Sequence, residues 1–265
     1  MEKTYEYITT INPDIFLAAI LTLLFSVEQI FFSAKSLLKR SEHLLGNIFL
    51  QLGYIIMNFG LVTLVIKALD WAAKEGIGLF NWISVPFYLQ VIAGVLGIDL
   101  VNYWAHRLNH KWALLWRLHR VHHSDTIMES STTYRFHPLD ALLDNFSSFV
   151  AAFIFGIDGS ILIFWLILYM PLLVLHHTNF IMPNWFDITF GKIIVSPNFH
   201  KIHHHQQQEY TDSNYGLIFI FWDKLFKTFK KIPVNDIRYG LLEFDNADRQ
   251  RFWFLLKSPF IDVKK

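Results

Sequence analysis

The sequence predicts an all-α integral membrane protein, with about four transmembrane or hairpin helices carrying a cytosolic, histidine-rich helical cap. Three observations lead there. Hydrophobic residues make up 53% of the 265-residue chain and charged residues only 17%. Two windows, Leu44 to Ile66 and Gly76 to Ile98, contain no Asp, Glu, Lys or Arg, and each reaches the roughly 20 residues that a helix needs to cross a bilayer core. Ten of the thirteen histidines fall into spaced clusters between positions 106 and 204.

The first apolar span, about Ile15 to Ala34, is interrupted by Glu28. An ionised group at mid-membrane costs about 2.5–3.5 kcal/mol on insertion scales, so Glu28 is expected near an end of the span or facing protein. The two charge-free windows supply the next spans. A fourth stretch, Ala141 to Leu175, is broken by Gly156, Asp158 and Gly159. Its halves are short for a full crossing, which predicts a helical hairpin with Pro171 as a kink point in its second arm.

Basic residues in the loops set the orientation. Lys35, Lys39 and Arg40 oppose Glu42 after the first span, whereas Glu2, Glu6 and Asp14 oppose Lys3 before it. Alternation then places residues 107–138 and everything after 180 in the cytosol, with Arg107, Lys111, Arg117, Arg120 and Arg135. The clustered histidines fall on that face. The first apolar run has an acidic leader and no A-x-A site, so no cleavable signal peptide is expected. The net charge of +1 gives no sign of a nucleic-acid partner. The absence of cysteine excludes disulfides, thiolate-held iron–sulfur clusters and a cysteine nucleophile. With no G-x-G-x-x-G turn and no P-loop, reducing equivalents would have to come from another protein.

The histidines carry the chemistry. His106 and His110 form an HxxxH pair; His119, His122, His123 and His200, His203, His204 form two HxxHH triplets; His137 and His177 stand between them. Residues three and four apart share one face of a helix, so each box presents its imidazoles together. Zinc in a tetrahedral site takes about four ligands; eight to ten converging imidazoles therefore point to two metal ions, and nitrogen ligation suits iron, copper, nickel or zinc. On one straight helix the 106/110 pair and the 119–123 triplet would point about 190° apart, which predicts a break between Asn109 and Trp116. Ser196 as N-cap with Pro197 at the first helical position predicts a helix under the last box.

The neighbours have open roles. Asp99 either accepts the outer N–H of a ligand or marks the membrane boundary. His137, before Pro138, is a ligand, an outer donor or a turn residue. Asp212 is an outer-partner candidate, as are Asp125, Glu129 and Asp140, which are equally solvated charges. His43 and His176 read as ordinary satisfied polar residues and His205 as a solvated tail. Arg251 to Leu256 forms either an amphipathic surface helix or packing against the cap.

The runs YWAHRLNH, LWRLHRVHHSD, STTYRFHPLD, HHTNF, SPNFHKIHH and SNYGLIFIFWDKLFKTF resemble the fatty acid hydroxylase / sterol desaturase superfamily of membrane-bound histidine-box enzymes over about residues 90–230. The resemblance implies a non-haem diiron centre of two Fe ions at the cytosolic face, O2 as co-substrate, a membrane lipid as substrate and an external electron-transfer protein as donor. Matching positions imply His106, His110, His119, His122, His123, His200, His203 and His204 as ligands. His177 joins them, preferred over His176 by its place before Thr178 and Asn179. Asp140 stands where Glu is common after HPL, and Lys227 where Gly usually precedes the final Thr. The domains expected are membrane helices over 1–89, a catalytic histidine-box region over 90–230 and a C-terminal cytosolic or interfacial segment over 231–265. The lack of a fused cytochrome domain points to a bacterial inner membrane. The rivals are a membrane-embedded zinc hydrolase, needing only three protein ligands and an open position, and a non-enzymatic haem carrier or metal transporter.

Overall fold

A computed structural model describes residues 19, 22–28, 30 and 37–263. Among these the chain is helical, with two isolated β-bridges, Ile194 to Phe219 and His205 to Tyr239, and no strand. The principal helices are α1 (Leu37–Lys74), α2 (Phe87–Lys111), α3 (Ala113–His123), α4 (Asp140–Phe155), α5 (Gly159–His177) and α6 (Pro197–His203). A 3-10 turn at Ser130–Tyr134 and short helical turns at Asn184–Ile188, Gln208–Thr211, Phe221–Leu225 and Phe252–Lys257 complete the cap.

Three stretches, Ser41–Trp82, Phe87–Lys111 and Gly159–His177, are long and apolar enough to cross a membrane. The protein is a multi-pass membrane protein. The second charge-free window is not one helix, however. A single turn at Leu79–Trp82 is followed by extended residues, and α2 starts only after Pro86, at its N-cap. Proline fixes φ and brings no N–H to a helix interior, so the crossing begins at Phe87 and runs on through Asp99 to the first histidine box. The span expected over Ile15 to Ala34 lies largely outside the described residues; residues 22–28 are helical.

The expected hairpin is present. Its arms have 16 and 19 residues, about 24 and 28 Å at 1.5 Å per residue. Gly156, in the left-handed conformation at φ 63°, ends α4, and Asp158 caps α5 by accepting from the Ser160 N–H. Gly78, at φ 109°, touches this bend: a Cβ there would lie 2.3 Å from Gly156. Pro171 lies inside α5, which continues past it to His177.

Packing follows from small residues facing large ones. α4 packs on both α1 and α2, and α5 on α2. Val95 and Ile98 of α2 meet Ala151 and Ala152 of α4, Ile161 and Trp165 of α5, and Ile218 from the cap. The outer faces stay apolar: Ile56 and Phe59 are 76% and 79% exposed, the side a bilayer covers. At the cap end, Leu50 of α1 and Val121 of α3 share a cluster with Leu241, Phe244 and Leu255. Phe252 also packs on Phe49, with ring centroids 5.7 Å apart. The C-terminal turn is thus largely packing, with Trp253 alone in its middle facing outward.

Candidate metal centre

Four helix ends bring the histidines together. His106 and His110 occupy the last turns of α2. The chain then breaks at Trp112, in extended conformation between α2 and α3, and the break turns His119, His122 and His123 back toward the pair. α5 ends at His177. Ser196 caps α6 by accepting from the Asn198 N–H, with Pro197 in the first turn, and α6 presents His200 and His203, with His204 just after it. The Ser196 hydroxyl in turn donates to Asp187.

The nine residues fall into two groups. His106, His110, His119, His123 and His203 form one; His122, His177, His200 and His204 form the other, and within each the ligating nitrogens lie within 4.8 Å of one another. The groups abut, because His123 stacks on His204 at 4.4 Å between ring centroids. In the second group Nε2 of His177 lies 3.1 Å from Nε2 of His122, 3.2 Å from that of His204 and 3.1 Å from that of His200. Nitrogens about 2.0–2.1 Å from one ion would be separated by about this much.

The outer nitrogens define tautomers. Nδ1–H of His106 donates to the Tyr215 carbonyl at 2.9 Å, that of His203 to Ser213 at 2.7 Å and that of His177 to Leu173 at 2.7 Å. A carbonyl only accepts, so each of these rings turns an Nε2 lone pair inward. Phe136 stacks flat on His122, 8° from parallel at 4.3 Å. Burial pushes the side-chain pKa of His119, His122, His123, His200, His203 and His204 below the usual imidazole value, and neighbouring histidines push the same way in each. These rings are neutral at pH 7, the form that binds metal.

The residues fit a metal pair. Buried ring nitrogens without a hydrogen-bond partner include both of His110 and of His123, Nε2 of His119 and His203, and Nδ1 of His122 and His200. Orphaned buried polar atoms are costly, and here they concentrate in the two groups.

Several expected roles are corrected. His137 belongs to neither group: its Nδ1 accepts from the Leu139 N–H and its Nε2–H donates to Leu256, so it is a turn residue. Asp99 touches no histidine; its carboxylate accepts from the N–H groups of Ile218 and Phe219 and from Trp222 Nε1. Asp212 comes to 3.6 Å from Nδ1 of His110, beyond hydrogen-bond length, and pairs with Lys111 at 2.7 Å. Asp125 and Glu129 bind His43 rather than a clustered ring, and Asp140 accepts from the His137 N–H. His205 is buried, not solvated: its Nδ1 accepts from the Gln207 N–H. His176 donates to the Val195 carbonyl, as a satisfied polar residue does.

Lys201 and Asp223 escaped the sequence reading, whereas Glu28 faces protein, one of the two placements expected for it, accepting from the Ser130 N–H and hydroxyl and from the Asn179 N–H. It thereby ties residues 22–28 to the cap. Lys201, beside His200, is 1% exposed; burial lowers its pKa to about 7, against the pull of Glu28 and Asp187. Asp223 is fully buried in the turn after the apolar run LIFIFW, and a lone acid closing such a run was its available signal.

A family model described as fatty acid hydroxylase matches residues 91–228. An alkylglycerol monooxygenase of Danio rerio is 31% identical over 160 residues, covering 55% of this chain and 31% of that protein. A very-long-chain aldehyde decarbonylase of Oryza sativa is 29% identical over 64% of each chain. An ornithine lipid hydroxylase of Rhizobium tropici is 29% identical, covering 56% of this chain and 44% of its own. The chain thus spans about a third of the length of the alkylglycerol monooxygenase it matches. No solved structure matches. None of the three relatives is a hydrolase by name, and the zinc hydrolase reading gains no support from them.

Proposed function

The chain belongs to the fatty acid hydroxylase family, and on that premise we propose that it oxidises a C–H bond of a membrane lipid with O2 at a histidine-held non-haem diiron centre. The observation that carries this reading is the gathering of nine histidines, eight buried and His106 half-buried, into adjoining groups of five and four. His106, His110, His119, His123 and His203 hold one ion, and His122, His177, His200 and His204 the other. When bound, the iron pair supplies the reaction of O2 with an unactivated C–H bond, which no side chain can achieve.

The chain's own residues do the rest. Carbonyls of Tyr215, Ser213 and Leu173 hold three rings in the tautomer that presents Nε2. Burial keeps the imidazoles of the cap neutral and excludes water from them. The apolar outer faces of α1, α2 and α5 bring a fatty acyl or sterol substrate in from the side. Hydroxylation is the favoured outcome, in line with relatives named as a monooxygenase and a hydroxylase. Electrons come from a separate transfer protein at the cytosolic face, the side on which the loop lysines and arginines lie.

The test is elemental analysis of detergent-purified protein followed by lipid product analysis under 18O2. About two iron atoms per chain and 18O in a hydroxylated lipid are expected. Stoichiometric zinc with O2-independent lipid hydrolysis would overturn the reading.

A further inference from the structure

We propose that Asp223 is a positioning residue for the five-histidine group, acting on His106 through the peptide bond between Tyr215 and Gly216. The inference rests on the diiron reading above.

One loop, Ser213 to Gly216, provides the outer acceptors for two histidines from different helices: the Ser213 carbonyl for His203 of α6 and the Tyr215 carbonyl for His106 of α2. Asp223 holds this loop from behind. Its Oδ1 accepts from the Tyr215 N–H at 2.8 Å and from the Thr228 hydroxyl at 2.7 Å, and its Oδ2 accepts from the Gly216 N–H at 2.8 Å. The Gly216 N–H and the Tyr215 carbonyl belong to one planar trans peptide, so they point in opposite directions. The result is a chain running from carboxylate to peptide to imidazole.

Such a chain does two things. It fixes the plane of the carbonyl that receives Nδ1–H of His106. It also polarises that peptide, since hydrogen bonds in series strengthen one another in a low-dielectric interior. A carboxylate bound directly to a ligating histidine orients the ring and raises its basicity; here one peptide is interposed.

The surroundings are built for this contact. A Cβ at Gly216 would lie 2.8 Å from Asp223 Oδ2, so only glycine lets the carboxylate approach. Asn214, at φ 52°, donates to the Phe199 and Lys230 carbonyls and fixes the start of the loop. Asp99 secures the far side through Ile218, Phe219 and Trp222. In the four-histidine group His177 finds its acceptor elsewhere, at Leu173 within its own helix.

The experiment loads wild type and Asp223→Asn with iron in detergent and measures iron per chain across a chelator series. Asn keeps the shape but removes the charge and turns an N–H₂ toward the loop donors. One of the two ions should leave the variant at about 10–100-fold lower chelator, the usual loss when an outer partner of a metal ligand is removed. The other should leave as in wild type, and His106→Ala should remove the same step. An unchanged curve, or simultaneous loss of both ions, would overturn the proposal; a general folding defect predicts the latter. Thr228→Val, which removes one donor to Asp223 and the partner of the Tyr103 hydroxyl while keeping both loop N–H groups on the carboxylate, decides the matter if Asp223→Asn does not fold, with Tyr103→Phe as the control for the second loss. It should shift the same step by less, and an unshifted curve overturns the proposal. Wild type without iron would instead sink the diiron reading itself.

Discussion

His43 of α1 lies against Asp125, two residues past His123, with Nε2 2.8 Å from the carboxylate; its Nδ1 lies 3.0 Å from Glu129. The ring thus joins α1 to the loop that follows the central histidine triplet. Replacing it leaves two buried carboxylates with Arg135 as the nearby cation. Removing one partner of a buried ion pair costs about 3–5 kcal/mol. His43→Ala should therefore lower the melting temperature of the purified protein sharply, and a change worth less than about 1 kcal/mol would show that the contact carries little.

The same carboxylate sets an acid limit. Burial alone would raise the pKa of Asp125, but the charges of His43 and Arg135 hold it well below the usual carboxylate range. A depressed folded value means stability that is present above the unfolded value of about 3.9 and lost as pH falls toward the folded one. Melting curves at pH 5 and below pH 4 should separate in wild type and converge in Asp125→Asn.

The buried imidazoles give a second, milder limit. His119, His122, His123, His200, His203 and His204 have folded values below the unfolded value of about 6.5. The unfolded chain therefore binds more protons, and stability rises with pH through that range. Metal-free protein should melt lower at pH 5.5 than at pH 7.5. Equal melting temperatures would mean that water reaches these rings.

Histidine substitutions should separate by position. His203→Ala removes a member of the five-histidine group and should cut iron content. His137→Ala loses its bonds with the Leu139 N–H and the Leu256 carbonyl, and His205→Ala its bond with the Gln207 N–H; each is worth about 0.5–1.5 kcal/mol and touches neither group, so both variants should keep full iron content. Elemental analysis of the three variants checks this, and iron loss in His137→Ala would place that residue back at the centre.

Lys227 sits at φ 59°, in the left-handed region, and is exposed. That conformation costs a residue with a Cβ roughly 1–2 kcal/mol, partly offset by glycine's greater unfolded freedom. Lys227→Gly should raise stability by a few tenths to about 1 kcal/mol, read as an increase in melting temperature, with activity unchanged.

Periodicity and composition determined much about this protein by themselves. The charge-poor windows showed a helical membrane protein, the spacing of the boxes put each set of imidazoles on one side of its helix, and the angular mismatch between residues 106–110 and 119–123 called for the break found at Trp112. These features are local: they depend on residues a few positions apart along one helix. Tertiary structure alone decided how nine histidines divide into five and four, why Asp99 serves a loop instead of a ring, and why His137 and His205 stand aside. The outer partners of His106, His177 and His203 are backbone carbonyls, which every residue possesses. No side chain in the sequence can announce which carbonyl will be used. That choice depends on how α2, α5, α6 and the Ser213–Gly216 loop pack together, with buried Asp99 and Asp223 holding the loop in place.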